Sequence, residues 1–150
     1  MHITYQPIGI IHSPFAEPGL TPIQSQASRG TAGEVMVYKE FTEGLEDLEG
    51  FSYIILIYQF HLSSGFSLKV IPYLDKKERG VFSTRAPRRP NAIGMSIVEL
   101  ESVKDNILHI KDLDVLDGTP LLDIKPYVPQ FNPDGNIRIG WLEKNIDRLG

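Results

Sequence analysis

Apolar segments recur along this chain at intervals of roughly ten residues, each short, rich in β-branched side chains and closed by turn-forming residues. They read YQPIGIIHSPF, GEVMVYKEF, FSYIILIYQF, FSLKVIPYL, IGMSIVELESV, NILHIKDLDVL and PLLDIKPYV. Short strands at regular spacing lead to a sandwich or a barrel, so the expected fold class is mainly β. In GEVMVYKEF, Val35, Val37 and Lys39 share one face while Glu34, Met36 and Tyr38 share the other. FSYIILIYQF is apolar on both faces, the pattern of a central strand or a barrel stave. Short helical segments are expected in TEGLEDLEGF, ended by Gly50, and in IGWLEKNIDRLG, where Ile139, Leu142, Ile146 and Leu149 align. Glycines and prolines fall mostly between the segments, as loops of fixed shape require. There is no internal repeat, low-complexity tract or linker, so residues 1–150 are expected to form a single compact barrel-like domain.

A chain of 150 residues can bury an ordinary core. Its formal charge of -4 argues against a surface coated in nucleic-acid-binding charge, so any anion site has to be local. The absence of cysteine removes disulfides and thiolate metal sites and favours the cytosol. MHITYQPIGI lacks the basic start and apolar core of a signal peptide, and the longest apolar run is about half of a bilayer span. The expectation is a cytoplasmic protein with no membrane segment and no metal.

Two stretches can carry chemistry. In STRAPRRPN, Arg85, Arg88 and Arg89 fall within five residues, and Pro87 and Pro90 stiffen the backbone that holds them. Guanidinium forks suit carboxylates and phosphates. In DLDVLDGTPLLDIKPYVP, Asp112, Asp114, Asp117 and Asp123 put four carboxylates within twelve residues, around an Asp-Gly hairpin signal. Asp123 lies in an otherwise apolar strand, where a charge needs a partner, and the arginine loop is the expected supply. The acidic spacing matches no EF-hand loop. His61, at the end of the third strand, could shuttle a proton or contact a ligand; His2, His12 and His109 show no metal spacing. TPIQSQAS, residues 21–28, is a polar loop suited to hydrogen bonding.

GVFSTRAPRRPNAIGMSIVEL followed by DVLDGTPLLDIKPYVP resembles the tRNA methyltransferase O family, also described as TsaA-like or YaeB-like. IGIIHSPF, TPIQS, GLEDLEGFSYIILIYQFH and RIGWLE match it in order along nearly the whole chain. The resemblance implies a small β-barrel that dimerises, holds S-adenosylmethionine near the subunit interface, and methylates N6-threonylcarbamoyladenosine beside the anticodon of tRNA. Longer bacterial members carry an extra C-terminal region, so this chain reads as a short form. Carried onto matching motifs, the cofactor contacts are Gln24, Ser25, Gln26, Phe60, His61, Arg85, Met95, Lys111, Asp112, Leu113 and Asp114. S-adenosylmethionine carries a sulfonium, an amine and a carboxylate, which ask for a guanidinium at one end and oxygens at the other. The threonylcarbamoyl N6 is weakly nucleophilic, so a base would assist, and Asp123, His61 and Tyr127 are the candidates. Arg85 is expected to be fixed and to point into the site, with Arg88 and Arg89 exposed at the loop tip against RNA phosphate. The alternative reading is a methyltransferase or cofactor-binding regulator that acts on a small molecule.

Overall fold

A computed structural model describes residues 1–16, 30–73 and 75–146. Six strands close a barrel in the order β1 (Gly9–His12), β2 (Gly33–Val37), β7 (Ile107–Lys111), β6 (Ile93–Lys104), β3 (Tyr53–Gln59) and β8 (Thr119–Pro126). Every neighbouring pair is antiparallel. Closure leaves the barrel itself no open edge, which suits a small sheet with a largely apolar inner face. Period-two alternation decides what lies inside. Ile11, Val35, Val37, Ile54, Leu56, Val98, Leu108, Ile110 and Leu121 point inward and are essentially solvent-free. Each such side chain contributes about 1.5–3 kcal/mol of burial. FSYIILIYQF is therefore a stave: Ile54, Leu56 and Tyr58 fill the core while Ile55 and Ile57 are only half-buried.

The antiparallel pairing sorts the connections to two ends. At one end lie residues 38–52, with Phe41, Leu45 and Leu48 against the core. The other end, here the mouth, gathers residues 60–92 between β3 and β6 and residues 112–118 between β7 and β8. The chain also leaves β1 and re-enters β2 there: Phe15 accepts from the Asp117 amide and Thr31 accepts from the Leu113 amide.

Four expectations need correction. FSLKVIPYL is not a barrel strand: only β4 (Lys69–Val70) pairs, with β5 (Arg79–Gly80), in a separate two-stranded ribbon. Phe66, Leu68, Ile71 and Tyr73 stay exposed, because the barrel is already closed without them. β2 stops at Val37, and Lys39 begins a 3-10 turn over Lys39–Leu45. The expected single turn is two, because Asp47 takes a left-handed φ of 69° before the Leu48–Gly50 turn. The C-terminal helix is a 3-10 turn over Gly140–Lys144, and Ile139 and Ile146 are about 40% exposed on a segment that buries no stripe. Leu149 lies outside the described residues.

Candidate functional site

β6 presents Gly94, Ser96, Val98 and Leu100 to the barrel interior. A hydroxyl in that position needs partners. Ser96 Oγ donates to Asp114 Oδ1 at 2.6 Å, and the Tyr58 hydroxyl lies 2.7 Å from the same Oγ. Serine has one proton, committed to the carboxylate, so Tyr58 donates to Ser96 and the chain of donors runs toward Asp114. Gly94 makes room for this. A Cβ there would overlap the rings of Tyr58 and Phe60, which stand edge to face with centroids 5.6 Å apart. Burial pushes the Asp114 carboxyl above its ordinary range, against the opposing pull of the Ser96 bond, its own backbone amide and the Arg85 charge. Burial, with the nearby Asp114 charge, also raises the Tyr58 phenol, which keeps it a neutral donor.

Phe60 and His61 continue the chain from β3 at the mouth, with the Phe60 amide bonded to the Ala92 carbonyl. His61 Nδ1 and Ser63 Oγ are shielded from solvent without a hydrogen-bond partner among the described residues. Shielded polar atoms of this kind ordinarily have partners, so these two mark the start of the 60–92 connection as a place with spare hydrogen-bonding capacity.

Lys111 to Asp114 divide the work of the adjoining loop. Lys111 lies 3.5 Å from Glu101. Asp112, at a left-handed φ of 67°, ends β7 and accepts the Gly30 amide at 2.6 Å. Leu113 is fully buried against Gly33, so its side chain is core and only its backbone is open to a ligand. Asp114 is the carboxylate of this loop that accepts the inward Ser96 hydroxyl.

The arginine loop is built differently from expectation. Arg89 is not an exposed tip residue: its Nη1 donates to the Thr84 and Ala86 carbonyls at 2.9 and 3.0 Å. The prolines flanking this turn bring no donors of their own, and the guanidinium satisfies the carbonyls instead. Arg85 and Arg88 are the exposed pair. Arg85 is near enough to Asp114 and Tyr58 for its charge to lower both. The loop is stiff because Arg89 clamps it and because Thr84 Oγ1 bonds the Val81 carbonyl at 2.8 Å.

The three candidate bases do not converge within one chain. His61 is at the mouth. Tyr127 is at the far end, beside Tyr53 and hydrogen-bonded by Asn132, about 20 Å away along β3. Asp123 pairs in register with Ile57, whose neighbours Leu56 and Tyr58 fill the interior, so its side chain leaves the barrel. Its partner is Lys125 at 3.0 Å rather than the arginine loop, because the two side chains leave the same face of β8. Met95 likewise points outward, 48% exposed, on the opposite face of β6 from Ser96 and Asp114. Gln24, Ser25 and Gln26 lie outside the described residues. Tyr58, Ser96 and Ser63 were not singled out in the sequence; two hydroxyls at inward positions of apolar strands were the available signal.

Two clefts lie elsewhere. One, of about 650 Å³, runs along Pro133–Glu143; the other, of about 560 Å³, sits at the closed end among Glu40, Glu43, Glu46 and Asp47. Carboxylates around the second repel phosphate and carboxylate ligands, so the mouth is the better site for them. Among the described residues no three metal-binding side chains cluster, and no helix is long and apolar enough to cross a membrane.

The sequence profile of the tRNA-methyltransferase O N-terminal domain matches residues 10–133, which takes in the barrel, the mouth and the arginine loop. The chain belongs to the tRNA-methyltransferase O family. A Pyrococcus abyssi protein named "Probable S-adenosyl-L-methionine-binding protein" is 59% identical, over 98% of this chain and 80% of that protein. The human tRNA (adenine(37)-N6)-methyltransferase is 33% identical over 88% of this chain but only 32% of its own length. A crystal structure of TrmO superposes with a TM-score of 0.78 and 40% identity, covering 93% of this chain and 64% of the other. The chain thus spans under two thirds of that solved family member and about a third of the human enzyme.

Proposed function

We propose that this protein is a tRNA methyltransferase that uses S-adenosylmethionine to methylate N6-threonylcarbamoyladenosine beside the anticodon. The observation that carries the reading is the desolvated Asp114 carboxylate facing the Arg85 charge at the mouth, in a chain of this family. The residues fit the cofactor. Arg85 offers a fork for its carboxylate, Asp114 a counter-charge for its cationic groups, and His61 Nδ1 and Ser63 Oγ two polar atoms without a partner among the described residues. Bound there, S-adenosylmethionine supplies an electrophilic methyl group. The protein's own contribution is mostly placement: holding two reactants in line can supply about 7–11 kcal/mol of the barrier. Tyr58 and Ser96 fix the Asp114 carboxylate, and the Arg89 clamp fixes Arg85 relative to it. His61 is the base in this reading, being the candidate at the mouth.

A homodimer with the cofactor at the subunit interface is part of the same reading. Tyr53, Ile93, Met95 and Ile97 expose an apolar outer face on paired strands β3 and β6. Met95 and Asp114 lie on opposite sides of β6, so one site that uses both side chains draws on two copies. Residues 1–150 work as one domain in the cytoplasm.

Isothermal titration with S-adenosylmethionine tests the cofactor site, and no heat at millimolar ligand would end the reading. Nucleoside mass spectrometry from a deletion strain tests the substrate. If no methylated nucleoside disappears, a small-molecule substrate, which the net acidity favours, replaces tRNA.

A further inference from the structure

Residues 66–89 hold seven of the chain's fifteen Lys and Arg but two of its nineteen Asp and Glu. They form the β4–β5 ribbon and the arginine loop, and both belong to the mouth. The charge is therefore segregated: one face carries a local positive excess while the rest of the chain is strongly acidic. The same segment exposes aromatic rings. Tyr73 is 72% exposed, Phe82 76% and Phe66 54%. Phe82 is not on a loose loop. It sits in a 3-10 turn over Val81–Ser83, where the Ser83 carbonyl accepts from Trp141 Nε1 at 2.8 Å and Ser83 Oγ bonds the Gly80 carbonyl at 2.7 Å. Arg79 braces the ribbon, tied to Asp75 at 2.6 Å and lying over the Trp141 ring. Asp75 Oδ1 also accepts the Lys76 and Lys77 amides, which shapes the ribbon tip that presents those two exposed lysines.

Resting on the tRNA reading above, we propose that this ribbon is a stacking platform for unpaired RNA bases: Tyr73 and Phe82 take bases, and Lys76, Lys77 and Arg88 take the adjoining phosphates. Exposed rings interleaved with cations bind single-stranded nucleic acid without needing base-edge contacts. The substrate nitrogen belongs to a base that has to leave its neighbours to reach the mouth, and a platform beside the mouth holds those neighbours. A second copy of this chain is a poorer occupant, because a two-fold contact would set the same positive excess against itself.

The test is fluorescence anisotropy of a labelled anticodon stem-loop RNA and of a fully paired duplex of equal charge. Phe82→Ala and Tyr73→Ala are expected to weaken stem-loop binding roughly 5- to 100-fold each. Duplex binding, S-adenosylmethionine affinity and oligomeric state should stay as in the wild type. Phe82→Tyr should retain binding and Phe82→Leu should not, since leucine keeps the apolar surface but cannot stack. Lys76→Ala should lower the salt dependence of RNA binding by about one unit of log–log slope. If Phe82→Leu binds the stem-loop like the wild type, stacking is refuted. If Phe82→Ala breaks a dimer, the face belongs to a second copy and the platform is refuted. If the wild type binds RNA and neither aromatic matters, the platform falls while the tRNA reading stands. Failure of the wild type to bind RNA at all overturns both.

Discussion

Asp114→Asn separates the cost of a buried charge from its use. Asparagine keeps a carbonyl oxygen for the Ser96 Oγ donor at 2.6 Å and removes the charge, with an NH2 donor in place of the second oxygen. Because burial raises the Asp114 carboxyl, the folded state holds its proton more tightly than the unfolded chain does. Stability from that group is fully present below the ordinary carboxylate range and is lost as pH rises through the raised value. At neutral pH the charged form is therefore a liability that asparagine relieves. The ligand-free variant should melt higher than the wild type near neutrality, and the gap should close as pH falls through the raised value. Binding should go the other way. Truncating a buried charged partner of a ligand costs roughly 2–5 kcal/mol, or about thirtyfold to a few thousandfold in affinity for S-adenosylmethionine. Wild-type affinity should fall on acidification through the raised pKa, and the variant should lose that limb. Differential scanning fluorimetry and titration calorimetry over a pH series read both effects. An Asp114→Asn protein that binds S-adenosylmethionine within about threefold of wild type, or that melts lower at neutral pH, refutes the assignment.

Arg85→Ala should abolish cofactor binding or turnover, whereas Arg88→Ala should leave cofactor affinity intact and raise the tRNA Michaelis constant; calorimetry and steady-state kinetics distinguish them. Arg89→Ala should act like a loop defect, lowering turnover with both substrates and increasing amide exchange around Thr84 and Ala86, whose carbonyls it now satisfies. Gly94→Ala should cost stability, since its Cβ would overlap the Tyr58 and Phe60 rings, with a loss of about 1–3 kcal/mol measured by chemical denaturation. Ile97→Glu, on the outer face, should leave the fold intact and yield monomers by light scattering, with cofactor affinity falling in step if the site is shared.

The barrel was legible because its cause is local. A strand's two faces follow from period two, so Val35 and Val37 were grouped on one face with no knowledge of the partners, and FSYIILIYQF was read as a stave without its inward side being chosen. What failed was whatever depended on which strands pair. Asp123 looked stranded in an apolar run, but β8 is exposed on its outer face and Lys125 stands two residues on. FSLKVIPYL has strand composition yet no place in the barrel, since six strands already close it. The arginine loop was recognisable by charge and proline, but not the clamping role of Arg89, which was expected at the exposed tip. That role depends on the carbonyls of Thr84 and Ala86, which have no signature in the sequence. Ser96 escaped for the same reason: its value lies in meeting Tyr58 across one strand pairing and Asp114 eighteen residues along the chain.

β6 explains how so short a chain carries both an inward hydroxyl cluster near the mouth and an apolar outer face. Gly94 and Ser96 point inward, and Ile93, Met95 and Ile97 point outward, all within five consecutive residues. Inward, the sequence gives up apolar volume at two positions to admit an aromatic pair and a hydroxyl, which hold Asp114. Outward, it places three exposed apolar side chains beside Ile55 and Ile57 of β3. A hydroxyl chain would stabilise nothing on the outside, where water competes for every bond, and an apolar row there has no folding role in a closed barrel. The two faces make sense together if ligand and partner meet across this strand. A shift of one residue in the β3–β6 register would exchange them and destroy both, so the Ile57–Met95 pairing fixes the site as firmly as any side chain in it.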